Sequence, residues 1–384
     1  MTDAIELLAH PPEATRFLNE IRGEPLVAVD TEAASFHRYH DRIYLIQVST
    51  RNRTAVLDPL GVSDLSLLGE ILAAPGTETL FHDADYDLRI LDRDYQFHAS
   101  HIFDTRVAAQ LLNEPGIGLA ALLEKYFGVQ LDKKYQRADW SRRPLTPEML
   151  AYAASDTRYL PALRDVLKQQ LVERGRWSWA EEEFMLLEQV RWTEPGPPEE
   201  AFLRLKGARL LKGRGLAVLR ELYDWREQAA RTLDRATFRV LGNETLLALA
   251  ERQPRDRAGL QGVPGLSADG VARRGEELLA AVAKGLAASP DSLPAIERGR
   301  RPPRDPEFDA LVERLKTARN AAAQRLDLAT GVLCPNAILE GVARIRADSR
   351  DALSTVPGIR RWQAEVLGEE LLAAVKAAPS GPGG

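Results

Sequence analysis

The chain has 384 residues, a formal net charge of −5 at pH 7 and one cysteine, Cys334. Its length allows two or three domains, and its charge argues against a uniformly basic nucleic-acid binder while leaving local basic patches open. The lone cysteine excludes an internal disulfide framework and a cysteine-rich metal site.

No stretch is long and apolar enough to span a bilayer, and the start, MTDAIELLAHPPE, lacks a basic flank of the signal-peptide kind. A soluble, cytoplasmic protein is therefore expected. Residues 5–22 have the pattern of an amphipathic helix, with Pro11 and Pro12 near its start. LVAVDTE (26–32) reads as a buried strand ending in acids. Strands at 43–50 and 54–60 follow, and the RNR between them is short enough for a hairpin. The three strands should form an antiparallel meander. A helix is expected at 64–74, a fourth strand at 78–82, and helices at 85–94, 104–113 and 118–127. The polar stretch LDKKYQRADWSRRPL (131–145) interrupts this pattern. One long helix should then run from Thr146 to about Arg174, with Pro147 at its first position and a kink at Pro161. Residues 178–192 read as helical, and TEPGPPEE (193–200) as a linker.

Beyond the linker the strand pattern stops and a repeat appears. GEELLAAV occurs at 275–282 and again at 368–375. At the same offset Val263-Pro264-Gly265 recurs as Val356-Pro357-Gly358, Asn243 as Asn336, Arg226 as Arg319 and Asp234 as Asp327. The expected organisation is an α/β domain over 1–175 and a helix and linker over 176–202. Two copies of a helical module, 203–286 and 305–378, are joined by a Pro- and Arg-rich linker at 287–304. A disordered tail closes the chain at 379–384.

The chemistry begins at the strand end. Residues i and i+2 of a strand share a face, so Asp30 and Glu32 sit side by side while Thr31 points away. Adjacent carboxylates repel, and a hard divalent cation such as Mg²⁺ or Mn²⁺ is the natural occupant between them. More acids follow in FHDADYDLRIL. Asp83 and Asp85 are placed to cap the helix, and Asp87 to face the sheet if Ile90 and Leu91 pack inward. In AYAASDTRYL, Tyr152 and Asp156 are four apart on one helical face, among alanines that allow close approach to the sheet.

Other positions carry two readings. Phe36, His37 and Tyr39 can stack on a terminal base or pack on their own domain. His82 can contact substrate or be a buried, hydrogen-bonded histidine, and Asp104-Thr105 reads as a helix cap. Lys133, Lys134, Arg137, Arg142 and Arg143 can hold the backbone of an incoming strand or form a solvated face. Arg204, Lys206, Arg209, Lys212, Arg214 and Arg220 occur with no acid between them, whereas Asp309 and Glu313 fall in the matching part of the second copy. The first copy is therefore expected to bind nucleic acid more strongly, and the competing reading makes both copies packing modules.

Asp30-x-Glu32, Asp87 in FHDADYDLRIL, Tyr152-x-x-x-Asp156 and the whole stretch LDKKYQRADWSRRPLTPEMLAYAASDTRYL together resemble the ribonuclease D family. That family lies within the DEDD superfamily of 3′→5′ exonucleases, in the subgroup with a tyrosine in its third motif. The repeated module resembles the HRDC domain. The resemblance implies a ribonuclease H-like mixed sheet flanked by helices, followed by two all-α HRDC-like domains. It implies catalysis by Asp30, Glu32, Asp87, Tyr152 and Asp156. The four acids would hold two divalent metal ions, with Asp30 bridging. Tyr152 would orient the attacking water, since a phenol with a pKa of about 10 is a poor general base. The stretch around Asp156 contains no histidine for that role. The implied activity is 3′→5′ exoribonuclease cleavage releasing nucleoside 5′-monophosphates from tRNA precursors and other structured RNAs, with no obligate protein partner. The alternatives are a DNA exonuclease in repair, acting on single-stranded DNA, and a non-catalytic nucleic-acid-binding scaffold. The loop AASFHRYHDRIYLIQ departs from the family, where a Thr-Tyr-Tyr-Pro character is expected near the terminal nucleotide.

Overall fold

The structure, a computed structural model, describes residues 5–132, 134–294 and 305–377. Lys133, most of the expected inter-module linker and the expected disordered tail lie outside the described residues. The first domain runs β1 (Glu6–Leu8), α1 (Pro11–Ile21), β2 (Leu26–Ala33), β3 (Ile43–Ser49), β4 (Thr54–Leu57), α2 (Ser66–Ala73), β5 (Glu78–Phe81), α3 (Asp85–Tyr95), β6 (Ile102–Asp104), α4 (Thr105–Leu111), α5 (Leu119–Phe127), α6 (Pro147–Arg158), α7 (Leu160–Glu173) and α8 (Trp177–Leu187). The six strands form one mixed sheet in the order β1-β4-β3-β2-β5-β6. The meander β2-β3-β4 is antiparallel as expected, while β1, β5 and β6 pair parallel to their neighbours.

Strand β2 is central, and its alternation divides the core. Val27 and Val29 pack with α1, α2 and α3, whereas Leu26 and Ala28 pack with α4 and α7 on the other face. Continuing that alternation, Asp30 and Glu32 fall on the face covered by α6, and Thr31 on the face of α3. A register shift between Glu32 and Ala33 ends the regular ladder just past the two acids.

Three expected elements differ. The helix expected at 5–22 begins only at Pro11, and 6–8 form an edge strand. The reason is local: a residue before proline is pushed out of the helical region, so the Pro11-Pro12 pair starts a helix and cannot continue one. The long helix from Thr146 breaks at Tyr159 into α6 and α7, because Pro161 has no N–H to give and fits the first turn of a new helix. The helix expected at 178–192 stops at Leu187. The chain then turns so that the Trp192 N–H donates to Asp92 at 2.7 Å and the Arg93 guanidinium lies over the Trp192 ring.

The second half is helical throughout its described residues. The first module holds α9 (Arg214–Leu233), α10 (Thr237–Val240), α11 (Asn243–Arg252), α12 (Arg257–Leu260) and α13 (Ala268–Leu286). The second holds α14 (Pro306–Arg325), α15 (Thr330–Leu333), α16 (Asn336–Ile345), α17 (Arg350–Ser354) and α18 (Arg361–Lys376). The repeated residues make the same contacts in both. Buried Arg226 donates to the Leu241 carbonyl (3.3 Å) and to Asn243 Oδ1 (2.6 Å). Buried Arg319 donates to the Cys334 carbonyl (2.9 Å) and to Asn336 Oδ1 (3.0 Å). Each guanidinium thus ties the start of the module's third helix to its long first helix, which accounts for the recurring Arg and Asn.

Candidate active site

Asp30, Glu32 and Asp156 each offer an oxygen into one small volume, within 4.8 Å of one another. Helix α6 brings Asp156 there. Thr146 caps its N-terminus by accepting from the Met149 N–H (3.2 Å), and buried Ala153 and Ala154 let it lie close on the sheet. Thr157, one residue on, is hydrogen-bonded to Ser49 of β3 at 2.7 Å, which fixes the helix's rotation. Tyr152, one turn before Asp156, stacks with Trp140 (centroids 6.0 Å apart) and tilts against Tyr135 (6.1 Å). The loop before α6 therefore builds one wall of the site.

Asp87 arrives differently. It is buried on α3, on the opposite face of the sheet, and the Thr31 hydroxyl donates to its Oδ1. Ile90 and Leu91 do pack inward, as the expected orientation requires. The capping roles expected of Asp83 and Asp85 are not observed. Ala84 is the cap residue, and Asp104 accepts from the Asp83 and Ala84 N–H groups while it caps α4 through the Arg106 and Val107 N–H groups. Asp83 has a left-handed backbone and pairs with Arg106 at 2.6 Å, and Asp85 pairs with Arg89.

The electrostatics follow from the packing. Burial, then the nearby Asp156 carboxylate, lifts Asp30 well above the ordinary range. Burial lifts Glu32, with Asp30, Asp156 and Asp87 adding to it. Burial raises Asp87, and the Asp30 charge raises it further. Asp156 is pushed up to about 7 by burial and by Asp87. The Tyr152 hydroxyl moves upward too, from burial and from Asp156, Glu32 and Asp30, so it keeps its proton. Gln47, paired with Asp30 in the register and fully buried, has no partner among the described residues for either amide atom. An all-carboxylate, self-repelling donor set fits a hard divalent ion.

The three acids and Tyr152 line a cleft of about 460 Å³ together with His82, Asp83, Arg106, Asp132, Gln136 and the start of α5. Of the described residues named for nucleic-acid contact, only His82 lines it. Phe36 and His37 pack on the protein itself. The Phe36 ring meets Phe238 edge-on and lies under Arg137, and His37 Nε2 is 2.9 Å from the Arg137 carbonyl. Tyr39 receives a hydrogen bond from Arg231 (3.2 Å). Arg143 reaches Asp58 and the carbonyls of Tyr44, Trp140 and Arg142 at 2.6–3.0 Å and holds the loop. Arg142 pairs with Asp139, and Lys134 sits over Tyr135. Arg204, Lys206, Arg209, Lys212 and Arg214 are exposed on the first module, outside the cleft. Thr31, Arg106 and Gln136 were not picked out by the sequence. Thr31 alone carried a signal, its place between Asp30 and Glu32.

A family model described as 3′-5′ exonuclease matches residues 6–172, and one described as HRDC domain matches 215–282 and 308–375. A protein named Ribonuclease D from Nitrobacter hamburgensis is 32% identical over 374 residues, covering 96% of this chain and 94% of that protein. A solved structure described as Escherichia coli RNase D, "an exoribonuclease involved in structured RNA processing", aligns with a TM-score of 0.70 at 25% identity, over 98% of this chain and 100% of that one. The catalytic core of RRP6 from Trypanosoma brucei aligns with a TM-score of 0.65 at 28% identity, over 74% and 80% of the two chains.

Proposed function

Because the chain belongs to the ribonuclease D family of 3′→5′ exoribonucleases, we propose that it trims the 3′ ends of tRNA precursors and other structured RNAs, releasing nucleoside 5′-monophosphates. The observation that carries the reading is the meeting of Asp30, Glu32 and Asp156 within 4.8 Å, beside Tyr152. In this reading Asp30, Glu32, Asp87 and Asp156 hold two divalent ions, Mg²⁺ or Mn²⁺. Such ions supply activation of water and stabilisation of the leaving 3′-oxygen.

The chain's own groups do the rest. Tyr152 retains its proton and orients the attacking water by a hydrogen bond from its hydroxyl. Thr31 holds Asp87 in place from the other face of the sheet. Arg106, which lines the cleft, is placed to meet an incoming phosphate. Residues 1–175 form the catalytic unit, and 203–286 and 305–378 hold the RNA body, the first module through Arg204, Lys206, Arg209, Lys212 and Arg214. A cytoplasmic location suits the lone buried Cys334; no helix among the described residues is long and apolar enough to cross a membrane.

The test is cleavage of 5′-labelled RNA and DNA oligonucleotides of one sequence with single-stranded 3′ tails, in Mg²⁺, Mn²⁺ or EDTA. The reading predicts a metal-dependent ladder shortening from the 3′ end of the RNA. Equal shortening of DNA would assign the protein to DNA ends, and no cleavage of either would leave a scaffold.

A further inference from the structure

His82 stands in the cleft with a defined proton arrangement. Its Nδ1 is 2.9 Å from Thr105 Oγ1, and the Thr105 hydroxyl donates its one proton to the Phe81 carbonyl at 3.0 Å. Thr105 is fully buried, so it takes no other donor role toward water. The arrangement that satisfies both contacts at once has the hydroxyl donating to Phe81 and its oxygen accepting from the imidazole, with the ring proton on Nδ1. Burial and the Arg106 charge hold His82 down at about 4, so the ring is neutral near pH 7. Nε2 is then a bare lone pair. It has no hydrogen-bond partner among the described residues, and His82 lines the cleft with Asp30, Glu32 and Asp156.

A bare lone pair repels phosphate oxygens and attracts donors. An exonuclease that removes nucleotides in turn needs contacts that every nucleotide can make. Base amino groups fail this test, since uracil has none. The ribose 2′-hydroxyl passes it, and it is the group that separates RNA from DNA. We propose that His82 Nε2 accepts a hydrogen bond from a ribose 2′-hydroxyl of the bound strand, making His82 a determinant of RNA over DNA. This rests on the exoribonuclease reading above and adds a specificity contact to it.

The experiment scans single 2′-deoxy and 2′-fluoro substitutions through the last four nucleotides of an RNA oligonucleotide, with a 3′-deoxy end as a further arm. Cleavage rates in Mg²⁺ and equilibrium binding in EDTA are measured for the wild-type protein, His82→Leu and His82→Gln. In the wild type, deoxy substitution at one position should slow cleavage and weaken binding roughly tenfold, and fluoro, which cannot donate, should match deoxy. His82→Leu should treat hydroxyl and deoxy alike at that position. His82→Gln, which keeps an acceptor, should retain part of the preference and controls for misfolding. The proposal is overturned if His82→Leu keeps the wild-type preference, if fluoro behaves as hydroxyl, or if only discrimination against the 3′-deoxy end is lost. RNA that is bound but not cut by the wild type would defeat the exoribonuclease reading alone, because the binding arm still reads the 2′-hydroxyl contact.

Discussion

Three carboxylates sharing one small volume are poorly matched to neutral water. Asp156 is the clearest case. Its carboxyl, pushed up to about 7 by burial and by Asp87, sits well above its ordinary unfolded value of about 3.9. A carboxyl raised on folding favours the folded state while protonated, so its contribution is fully present below about pH 4 and is lost as pH rises through 7. Thermal unfolding in EDTA should therefore occur at lower temperature at pH 8 than at pH 5.5, and Asp156→Asn should flatten that dependence. Added Mg²⁺ should raise the unfolding temperature most at pH 8, because metal and proton compete for the same oxygens. Thr31 gives a second residue-scale prediction. Its hydrogen bond lowers the Asp87 carboxyl, so Thr31→Val should raise it further. The acid limb of the pH–rate profile should move to higher pH, with cleavage reduced about 10- to 100-fold. An unmoved profile would show that Asp87 does not take part. At this scale the acids were legible because strand alternation and helical spacing place Asp30 with Glu32 and Tyr152 with Asp156. The tie from Thr31 to Asp87 and the pairing of His82 with Thr105 were not, because both depend on contacts between elements.

The polar stretch 131–145 shows how an element can be misread from charge alone. Its arginines suggest strand binding, yet Arg143 is drawn inward to Asp58, whose side chain is 7% exposed. It also donates to the carbonyls of Tyr44, Trp140 and Arg142, so it anchors the loop whose Trp140 stacks with Tyr152. Arg143→Ala should cost about 3 kcal/mol of stability, as expected when one partner of a largely buried ion pair is removed, and this is read by chemical denaturation. RNA affinity of the folded variant should stay near that of the wild type; a large loss of affinity at unchanged stability would make Arg143 a substrate contact after all. The missed strands β1 and β6 are three residues each, too short for any period to register. They exist because neighbouring strands offer them a ladder. The break between α6 and α7 was visible as Pro161, but a kink and a restart look the same in sequence.

Across the whole molecule, the repeat is used twice in the same way. Asp234 and Asp327 each follow a module's first long helix in a left-handed conformation, and each is turned toward the first domain. Asp234 accepts from Arg38 (3.2 Å) and from the Tyr39 N–H (3.3 Å), in the loop just past the acids of β2. Asp327 accepts from Asn113 (2.8 Å) and lies 3.8 Å from Arg174. The second module is held further by Trp362 stacked on Trp179 (4.8 Å) and by Glu182, which accepts from the N–H groups at the start of α18. The sequence revealed the repeat but not that one corner of it docks in both copies. The loop between β2 and β3 is the one the first module meets. Asp234→Ala should increase amide exchange at Arg38 and Tyr39 without changing the melting of the catalytic domain. Unchanged exchange would mean that the corner contributes nothing to holding the loop.

The central claim is that the acids of β2 and α6 form a metal-dependent nuclease centre, and Asp30→Asn tests it most directly. Single-turnover cleavage of a 5′-labelled RNA in saturating Mg²⁺ should be measured beside equilibrium RNA binding on the same preparations. The account predicts a loss of at least about 10³-fold in rate, the scale of losing metal-assisted charge stabilisation, with affinity within about twofold of the wild type. Cleavage at a rate near the wild type would contradict it.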